Sequence, residues 1–278
     1  MNREPGPGGH RPTGASRDQL AASLRELGVQ PGQHLLIHCS LRAIGPVDGG
    51  PATLLGAIKQ AAGEQATLVV PTQTTLNSLT SRAFLTATDS LDEPGRTRFV
   101  AEMPGFDRAT TPSTGMGALA EHLRTRPAAK RSSHPQSSFA ALGPGAAACT
   151  SVHDLDCHLG ERSPLGWLYA NDAAIALLGV GYSACTAFHL AEYCWPGPRP
   201  AKTYRCFTAG PSGREEHTFT DLDLDDSDFE RLGMAAEAAL FIRPGRIGLG
   251  AARLLPLGEA VDFAVTWFQE HRGQVPLR

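Results

Sequence analysis

The feature that most constrains the fold is a strand, loop, helix and strand pattern near the N-terminus. Residues 34–40 form an apolar run typical of a buried strand, and a Gly- and Pro-rich loop covers residues 45–51. Apolar residues then recur at helical spacing between Leu54 and Ala62, and residues 66–70 repeat the strand signal. Two strands joined by a helix within about 35 residues make a βαβ unit, which places neighbouring strands parallel.

The alternation of strand and helix signals continues along the chain. Residues 202–220 differ, because two β-rich runs turn around Gly210-Pro-Ser-Gly213 and are typical of an antiparallel hairpin. We therefore predict a single α/β domain with a central mixed, largely parallel sheet flanked by helices, plus an appended antiparallel hairpin. Further strands are expected over residues 138–142, 173–180 and 247–255, and helices over residues 16–28, 113–124, 164–170, 185–194, 226–240 and 257–270.

The charge balance limits the classes of partner. The 278 residues carry 25 Lys and Arg against 28 Asp and Glu, a net charge of −3. Nucleic acids and anionic membranes attract concentrated positive charge, so neither is expected as the main partner. Residues 1–14, rich in Gly and Pro, are expected to be a disordered tail, which leaves residues 15–278 as one domain. No secretory signal or apolar span is evident, so a cytoplasmic protein is expected.

Cysteine and histidine usage does not predict a metal site. The six cysteines include no C-x-x-C pair, which argues against zinc ribbons and thioredoxin-like redox sites. One segment holds several side chains of ligand type, but their spacing fits no known zinc site. We predict no metal. The side chains considered are His153, Asp154, Cys157, His158 and Glu161.

The first candidate binding element is the loop from His38 to Pro51, which leaves a strand and enters a helix. Free backbone N–H groups at a helix start suit a phosphate or carbonyl oxygen. It is not a P-loop, because Gly49-Gly50-Pro51 lacks the required Lys and Ser or Thr. The alternative is that the glycines only turn the chain and that His38 is structural.

The second candidate is catalytic. If a helix begins near Cys185, then Thr186, His189 and Glu192 fall at successive i, i+3 positions along one face. A carboxylate so placed can orient the imidazole and raise its basicity, as a general base requires. The alternative is a helical salt bridge on a solvated face. The apolar neighbours favour a position at the rim of a pocket.

The same stretch supports a rival hypothesis of a serine hydrolase. Gly181-Tyr-Ser183-Ala-Cys185 follows a strand and precedes a helix, as a nucleophile elbow does. Its fifth position is Cys185, where a side chain would crowd the sharp turn that the usual glycine permits. Ser183 is therefore kept as a lower alternative nucleophile.

Two further loops carry charged residues. Arg131 begins a hydroxyl-rich loop that could bind phosphate or amide groups, the alternative being a solvated loop. Asp154, Asp156 and Glu161 lie in a short span that would attract a polyamine. In the same span Ser163-Pro164 is also typical of an ordinary helix cap.

Taken in order, these segments resemble the aminoglycoside 3-N-acetyltransferase family, the antibiotic N-acetyltransferases that are unrelated to the GNAT fold. The resemblance runs from about Ser16 to Phe268. Five ordered blocks are far more specific than any one of them. The matching blocks are His38-x-Ser40-Leu41 with Gly49-Gly50; Phe106-Asp107 with Thr111-Pro112 and Met116-Gly117; Arg131-Ser132 with His134-Pro135 and Ser138-Phe139-Ala140-Ala141; Gly160-Glu161 with Ser163-Pro164-Leu165-Gly166; and Thr186-x-x-His189-x-Ala191-Glu192.

The resemblance implies direct acetyl transfer from acetyl-CoA to a primary amine, with His189 as general base held by Glu192. It also implies that coenzyme A lies along the loop that follows the first strand, and that acidic side chains collect a cationic acceptor. The expected cofactor-binding residues are His38, Ser40, Leu41, Arg42, Gly45, Gly49, Gly50, Arg131 and Thr186, and the expected acceptor-binding residues are Asp154, Asp156 and Glu161.

One segment departs from the family pattern. Members that acetylate aminoglycosides commonly carry a Trp- and Pro-rich stretch where this chain has residues 76–84, which contain neither. An aminoglycoside antibiotic, acetylated on its 3-amino group as in resistance, is the expected acceptor, and a biosynthetic role on another small amine is the alternative. A non-catalytic binding protein is a third possibility, and a homodimer is left open.

Overall fold

The computed structural model describes residues 14–242 and 244–272, and the tail expected at residues 1–14 lies outside them except for Gly14. The helices of the described part are α1 (Arg17–Leu27), α2 (Leu41–Ile44), α3 (Gly50–Ala62), α4 (Arg82–Thr88), α5 (Glu93–Glu102), α6 (Gly117–Arg124), α7 (Ala146–Cys149), α8 (Pro164–Ala170), α9 (Phe188–Cys194), α10 (Phe229–Ala239) and α11 (Leu257–His271). The strands are β1 (Leu35–Cys39), β2 (Leu68–Pro71), β3 (Lys130–Arg131), β4 (Phe139–Leu142), β5 (Ala174–Leu178), β6 (Ala201–Gly210), β7 (Gly213–Leu222), β8 (Gly245–Ile247) and β9 (Gly250–Pro256).

Seven strands form a central mixed sheet in the order β3-β4-β2-β1-β5-β9-β8. Strand β1 pairs in parallel with β2 and with β5, as the βαβ pattern predicts. The other neighbours pair antiparallel. The mixed α/β sheet is therefore confirmed, but parallel pairing is confined to its three central strands and does not dominate. The alternation of strand and helix signals predicts where strands lie in the sequence. It does not predict whether two strands far apart in the sequence pair parallel or antiparallel, because that depends on the path of the chain between them.

Local signals account well for several elements. The Ser16 side chain accepts the Gln19 N–H, the Gln19 side chain reciprocates, and Gly28 ends α1 in the left-handed conformation. The strand predicted over residues 247–255 is instead the β8–β9 hairpin, which turns at Gly248 with φ of +55°. Helices α4 and α5 were not predicted. Since α5 buries none of its side chains, it shows no apolar periodicity.

The core lies on both faces of the sheet because successive side chains of a strand point to opposite sides. Leu36 and Leu177 belong to the layer covered by α8, α9, α10 and α11. Leu35 and Ile37 belong to the layer covered by α1, α3 and α6. Helices therefore cover the sheet on both sides, while the ends of its parallel strands border a cleft.

The appended antiparallel hairpin is confirmed as the separate two-stranded sheet of β6 and β7. It is tied to the segment that departs from the family pattern, because Ser78 bridges to Cys206. Phe84 and Phe207 share a small apolar cluster there. Within the described ranges, no helix combines the length and apolar character needed to cross a bilayer.

We expect the central sheet to carry much of the stability. Leu177 of β5 is fully buried, so Leu177→Ala should lower the free energy of unfolding by about 2–5 kcal/mol through lost contacts and a residual cavity. The matched control is Leu85→Ala, at a side chain 49% exposed, which should change stability by less than about 0.5 kcal/mol. Urea denaturation measures both variants. Equal losses would contradict this account of the core.

Candidate active site

A cleft of about 600 Å³ opens at the carboxyl ends of the three parallel strands. Cys39 at the end of β1 and Pro71 at the end of β2 line it, and Val180 lines it just after β5. Open α/β sheets commonly hold their ligands outside the carboxyl ends of their strands. The N-terminal turn of α6 and residues of the 183–189 segment complete the walls.

His189 and Glu192 face each other across one turn of α9. Glu192 Oε2 lies 2.6 Å from His189 Nδ1, and the two side chains are 8% and 12% exposed. Phe229 packs against the imidazole with ring centroids 4.6 Å apart. An ionised carboxylate can only accept, so Nδ1 donates and Nε2 becomes the acceptor nitrogen. His189 lines the cleft, and among the described residues Nε2 has no hydrogen-bond partner.

The second oxygen of Glu192 is bound by residues distant in sequence. Oε1 accepts the backbone N–H of Asp225 at 3.1 Å and the Arg272 Nη1 at 2.6 Å. A buried carboxylate is tolerated when paired and hydrogen-bonded in this way. Asp226, next in the chain, lines the cleft near His189. Sequence reasoning missed Asp225, Asp226 and Arg272, because no local pattern links them to α9.

His38 and Thr186 lie close together in the lining of the same cleft. Thr186 Oγ1 lies 3.4 Å from His38 Nε2, and both residues line the cavity. Burial lowers the pKa of His38 to about 4. His38 is therefore neutral at neutral pH and offers a hydrogen-bonding ring, not a positive charge, to a ligand.

The residues that follow β1 also reach the cleft. Ser40, Leu41 and Arg42 line it, and the Ser40 hydroxyl caps α2 by accepting the Ala43 N–H. The structure thus brings these predicted cofactor-binding residues together with the imidazoles of the site. Their role toward coenzyme A stays a prediction.

The three glycines of the same loop do not line the cleft. Gly45, Gly49 and Gly50 have φ angles of +86°, +76° and +62°, which favour glycine. Gly49 is the N-cap of α3. Their position fits the alternative considered above, in which they turn the chain from the first strand into α3.

Arg131, expected to bind the cofactor, is instead buried away from the cleft. Its Nε donates to Thr72 Oγ1 and Ser138 Oγ at 3.1 and 3.0 Å, and its Nη2 donates to the Thr72 carbonyl. The guanidinium also lies 4.8 Å from the Phe106 ring centroid. Burial lowers the pKa of Arg131 to about 10, so it stays charged. Arg131 joins β2 to β4 and is not available to the cleft.

The acidic cluster expected to bind the acceptor also lies elsewhere. Asp154 and Asp156 pair with Arg162 at 3.3 and 3.0 Å. Glu161 is exposed, and none of these three acids lines the cleft. The closeness of these acids in the sequence shows a local concentration of negative charge, but it does not show how far that charge lies from His189.

The two histidines considered as metal ligands contact protein groups instead. His153 contacts Ser132 Oγ through Nδ1 and the His158 carbonyl through Nε2. His158 Nδ1 lies 2.6 Å from Asp221. In the part of the chain that the structure describes, no group of His, Cys, Asp and Glu has an arrangement that could hold a metal ion.

The serine hydrolase hypothesis is not supported. Ser183 lines the cleft, and its backbone N–H donates to Glu230. No hydrogen bond joins its hydroxyl to a histidine among the described residues. Residues Tyr182–Ala184 form a short 3₁₀-helix, so the chain does not make the strand, sharp turn and α-helix of a nucleophile elbow.

Comparison with known proteins points to one family. The family model for aminoglycoside 3-N-acetyltransferase matches residues 36–269. Aminoglycoside N(3)-acetyltransferase III of Serratia marcescens is 32% identical over 277 residues, which cover 92% of this chain and 98% of that protein.

Two solved structures share the fold. YokD of Bacillus subtilis, an aminoglycoside N(3')-acetyltransferase-like protein, superposes with a TM-score of 0.87 at 32% identity, over 94% of this chain and 96% of that one. The AAC-IIIb binary complex with CoASH gives a TM-score of 0.82 at 28% identity, over 96% of this chain and all of the other.

The buried imidazoles predict acid sensitivity. Burial lowers the pKa of His38 to about 4 and that of His153 to about 3, below the unfolded value of about 6.5. Only the unfolded chain protonates these groups as the pH falls below about 6.5, so stability should drop toward pH 4. Urea denaturation of the wild type and His153→Gln tests this. The free energy of unfolding of the wild type should exceed that of His153→Gln by less and less as the pH falls. A difference that does not change with pH would contradict the interpretation.

Proposed function

The chain belongs to the aminoglycoside 3-N-acetyltransferase family of acyltransferases, and we propose that it transfers the acetyl group of acetyl-CoA directly to the 3-amino group of an aminoglycoside. The observation that carries the proposal is the contact between His189 and Glu192 at the edge of the cleft. Acetylation neutralises a cationic amine of the antibiotic, which is a resistance chemistry.

The imidazole supplies the base that this reaction needs. An ammonium cannot attack a thioester, so a positioned group must first remove its proton. His189 Nε2 takes that proton, and the amine nitrogen attacks the thioester carbonyl. A C–N bond forms and the C–S bond breaks, while the second proton that the nitrogen loses passes to the departing sulfur, so coenzyme A leaves as the thiol. Glu192 holds the ring through Nδ1 and stabilises the imidazolium that forms.

The acyl donor is proposed to enter over the end of β1. Ser40, Leu41 and Arg42 line that part of the cleft, and Arg42 provides a positive charge there for the phosphates of coenzyme A. The Thr186 hydroxyl, close to His38, can donate to the oxyanion that develops on the thioester carbonyl. The similar AAC-IIIb structure with CoASH supports a coenzyme A site on this fold.

Asp226 is the carboxylate proposed to hold the acceptor. It lines the cleft together with His189, and it forms no ion pair within the described part of the chain. An aminoglycoside carries several ammonium groups, and a carboxylate beside the base can bind one of them while another reacts. Asp226 thus replaces Asp154, Asp156 and Glu161 as the acceptor-binding group in this proposal.

The base is tested by thiol release from acetyl-CoA over a panel of aminoglycosides and simpler amines. His189→Ala should lower kcat by about 10²- to 10⁴-fold, because the amine stays protonated. Glu192→Gln should lower it less, since a ring without its carboxylate is still present. Ser183→Ala is the control and should keep the wild-type rate. Loss of turnover in Ser183→Ala with retention in His189→Ala would contradict the proposal.

The acceptor site is tested by Asp226→Asn. The KM for the amine should rise roughly tenfold through loss of a charged hydrogen bond, while the KM for acetyl-CoA stays unchanged. Asp154→Asn, outside the cleft, is the matched control and should leave both constants unchanged. A rise in the KM for acetyl-CoA alone would place Asp226 at the donor end and refute the assignment.

A further inference from the structure

Arg272, at the C-terminal end of α11, joins the base pair to the acidic segment beside the cleft. Its Nη1 donates to Glu192 Oε1 at 2.6 Å, and its Nη2 donates to the carbonyl of Asp225 at 2.7 Å. Its Nε donates to Asp228 Oδ2 at 2.8 Å, and Nη2 also reaches the other Asp228 oxygen. One guanidinium therefore contacts two carboxylates and a main-chain carbonyl.

The surroundings keep this side chain charged and in place. Arg272 is 15% exposed, and its guanidinium lies 3.8 Å from the Phe268 ring centroid, one turn back on α11. Burial alone would lower the pKa of Arg272, but its hydrogen bonds to Asp228 and Glu192 raise it on balance. The cation offsets two carboxylates that lie close together in a half-buried region.

We propose that Arg272 is a positioning residue for acetyl transfer, which fixes Glu192 against His189 and holds residues 225–228 so that Asp226 faces the cleft. This inference rests on the proposed function for its kinetic part. Arg272 touches no reacting atom. It acts through Glu192 on the proton-accepting ring, and through Asp225 and Asp228 on the segment that carries Asp226.

The geometry requires an arginine. The guanidinium is a planar fork with five N–H donors, and here its three nitrogens bind three separate groups. A lysine ammonium at the same place would keep the positive charge but would not hold its N–H donors in the fixed directions of the guanidinium. Arg272→Lys should therefore preserve part of the electrostatic effect and little of the alignment.

The charges around His189 set the sign of the expected change. Glu192 of α9 contacts the ring, and Arg272 binds the other oxygen of Glu192. The carboxylates of Asp225, Asp226 and Asp228 lie on the segment that adjoins Glu192. His38, behind Thr186, is neutral. Arg42 also lines the cleft, and Glu230 binds the Ser183 N–H at its wall, but neither contacts Glu192 among the described residues. Removal of the Arg272 cation therefore leaves a more negative field at His189. The imidazolium becomes easier to form, so His189 protonates at higher pH.

Nitrogen NMR of ring-labelled histidine tests this without requiring turnover. The His189 signal is assigned by its loss in His189→Gln. In Arg272→Met its titration midpoint should rise by at least about half a pH unit. The matched control is Arg253→Met, because Arg253 also pairs with a glutamate, Glu237, and lies over an aromatic ring. Arg253→Met should leave the His189 midpoint at its wild-type value.

Steady-state kinetics give the second readout. Arg272→Met should lower kcat by roughly 10- to 100-fold, as expected for loss of a charge-assisted hydrogen bond that aligns the base, and should move the acid limb of the pH profile upward. The KM for the amine should rise, that for acetyl-CoA should not, and Arg272→Lys should recover part of kcat. Arg253→Met should match the wild type in all of these.

The outcomes separate this inference from the proposed function. A His189 midpoint and a kcat in Arg272→Met that equal those of Arg253→Met overturn the inference, even if both variants lose thermal stability. Arg272→Lys serves if Arg272→Met does not fold, and its unchanged midpoint, kcat and amine KM would equally overturn it. A wild type that acetylates no amine refutes the proposed function, whereas the NMR midpoint still decides whether Arg272 tunes His189.

Discussion

The site depends on one short contact, 2.6 Å between Glu192 Oε2 and His189 Nδ1. This contact selects the tautomer that leaves Nε2 free to accept a proton at the cleft. It also commits a carboxylate to a position with 8% exposure, which is tolerable only because Asp225 and Arg272 satisfy its other oxygen. His189, Glu192, Asp225 and Arg272 therefore form a single hydrogen-bonded unit.

The mixed sheet explains how that unit is assembled. The parallel strands β2, β1 and β5 place the cleft at their carboxyl ends, where the residues after β1 and His189 of α9 both line it. The antiparallel strand β9 then leads directly into α11, which packs against α9 in one apolar layer. That packing places Arg272, at the end of α11, within hydrogen-bond distance of Glu192 on α9. The antiparallel strand β9 thus helps to position a residue that supports the site at the ends of the parallel strands.

Sequence patterns predicted several features that depend on local spacing. The βαβ unit, the α1 capping box and the i, i+3 placement of His189 and Glu192 all follow from periodicity, and the family followed from five ordered blocks. Arg131 has ligand-like chemistry, yet its partner Thr72 lies 59 residues away in the sequence, so spacing could not show that a protein group occupies it. Asp154 pairs with Arg162 of the same loop, and the positions of the two charges in the sequence did not show that they meet. Arg272 lies 80 residues from Glu192, and only tertiary packing reveals the pair.

In the proposed reaction the acetyl group passes directly to the amine, which His189 activates, and the chain itself is never acetylated. Intact-protein mass spectrometry with carbonyl-labelled acetyl-CoA, combined with carbon NMR of the products, tests it most directly. Direct transfer predicts an unmodified chain with acetyl-CoA alone, and an amide carbonyl signal only after an aminoglycoside is added. An acetyl group retained on Ser183 or Cys39, or release of free acetate in place of amide, would contradict it.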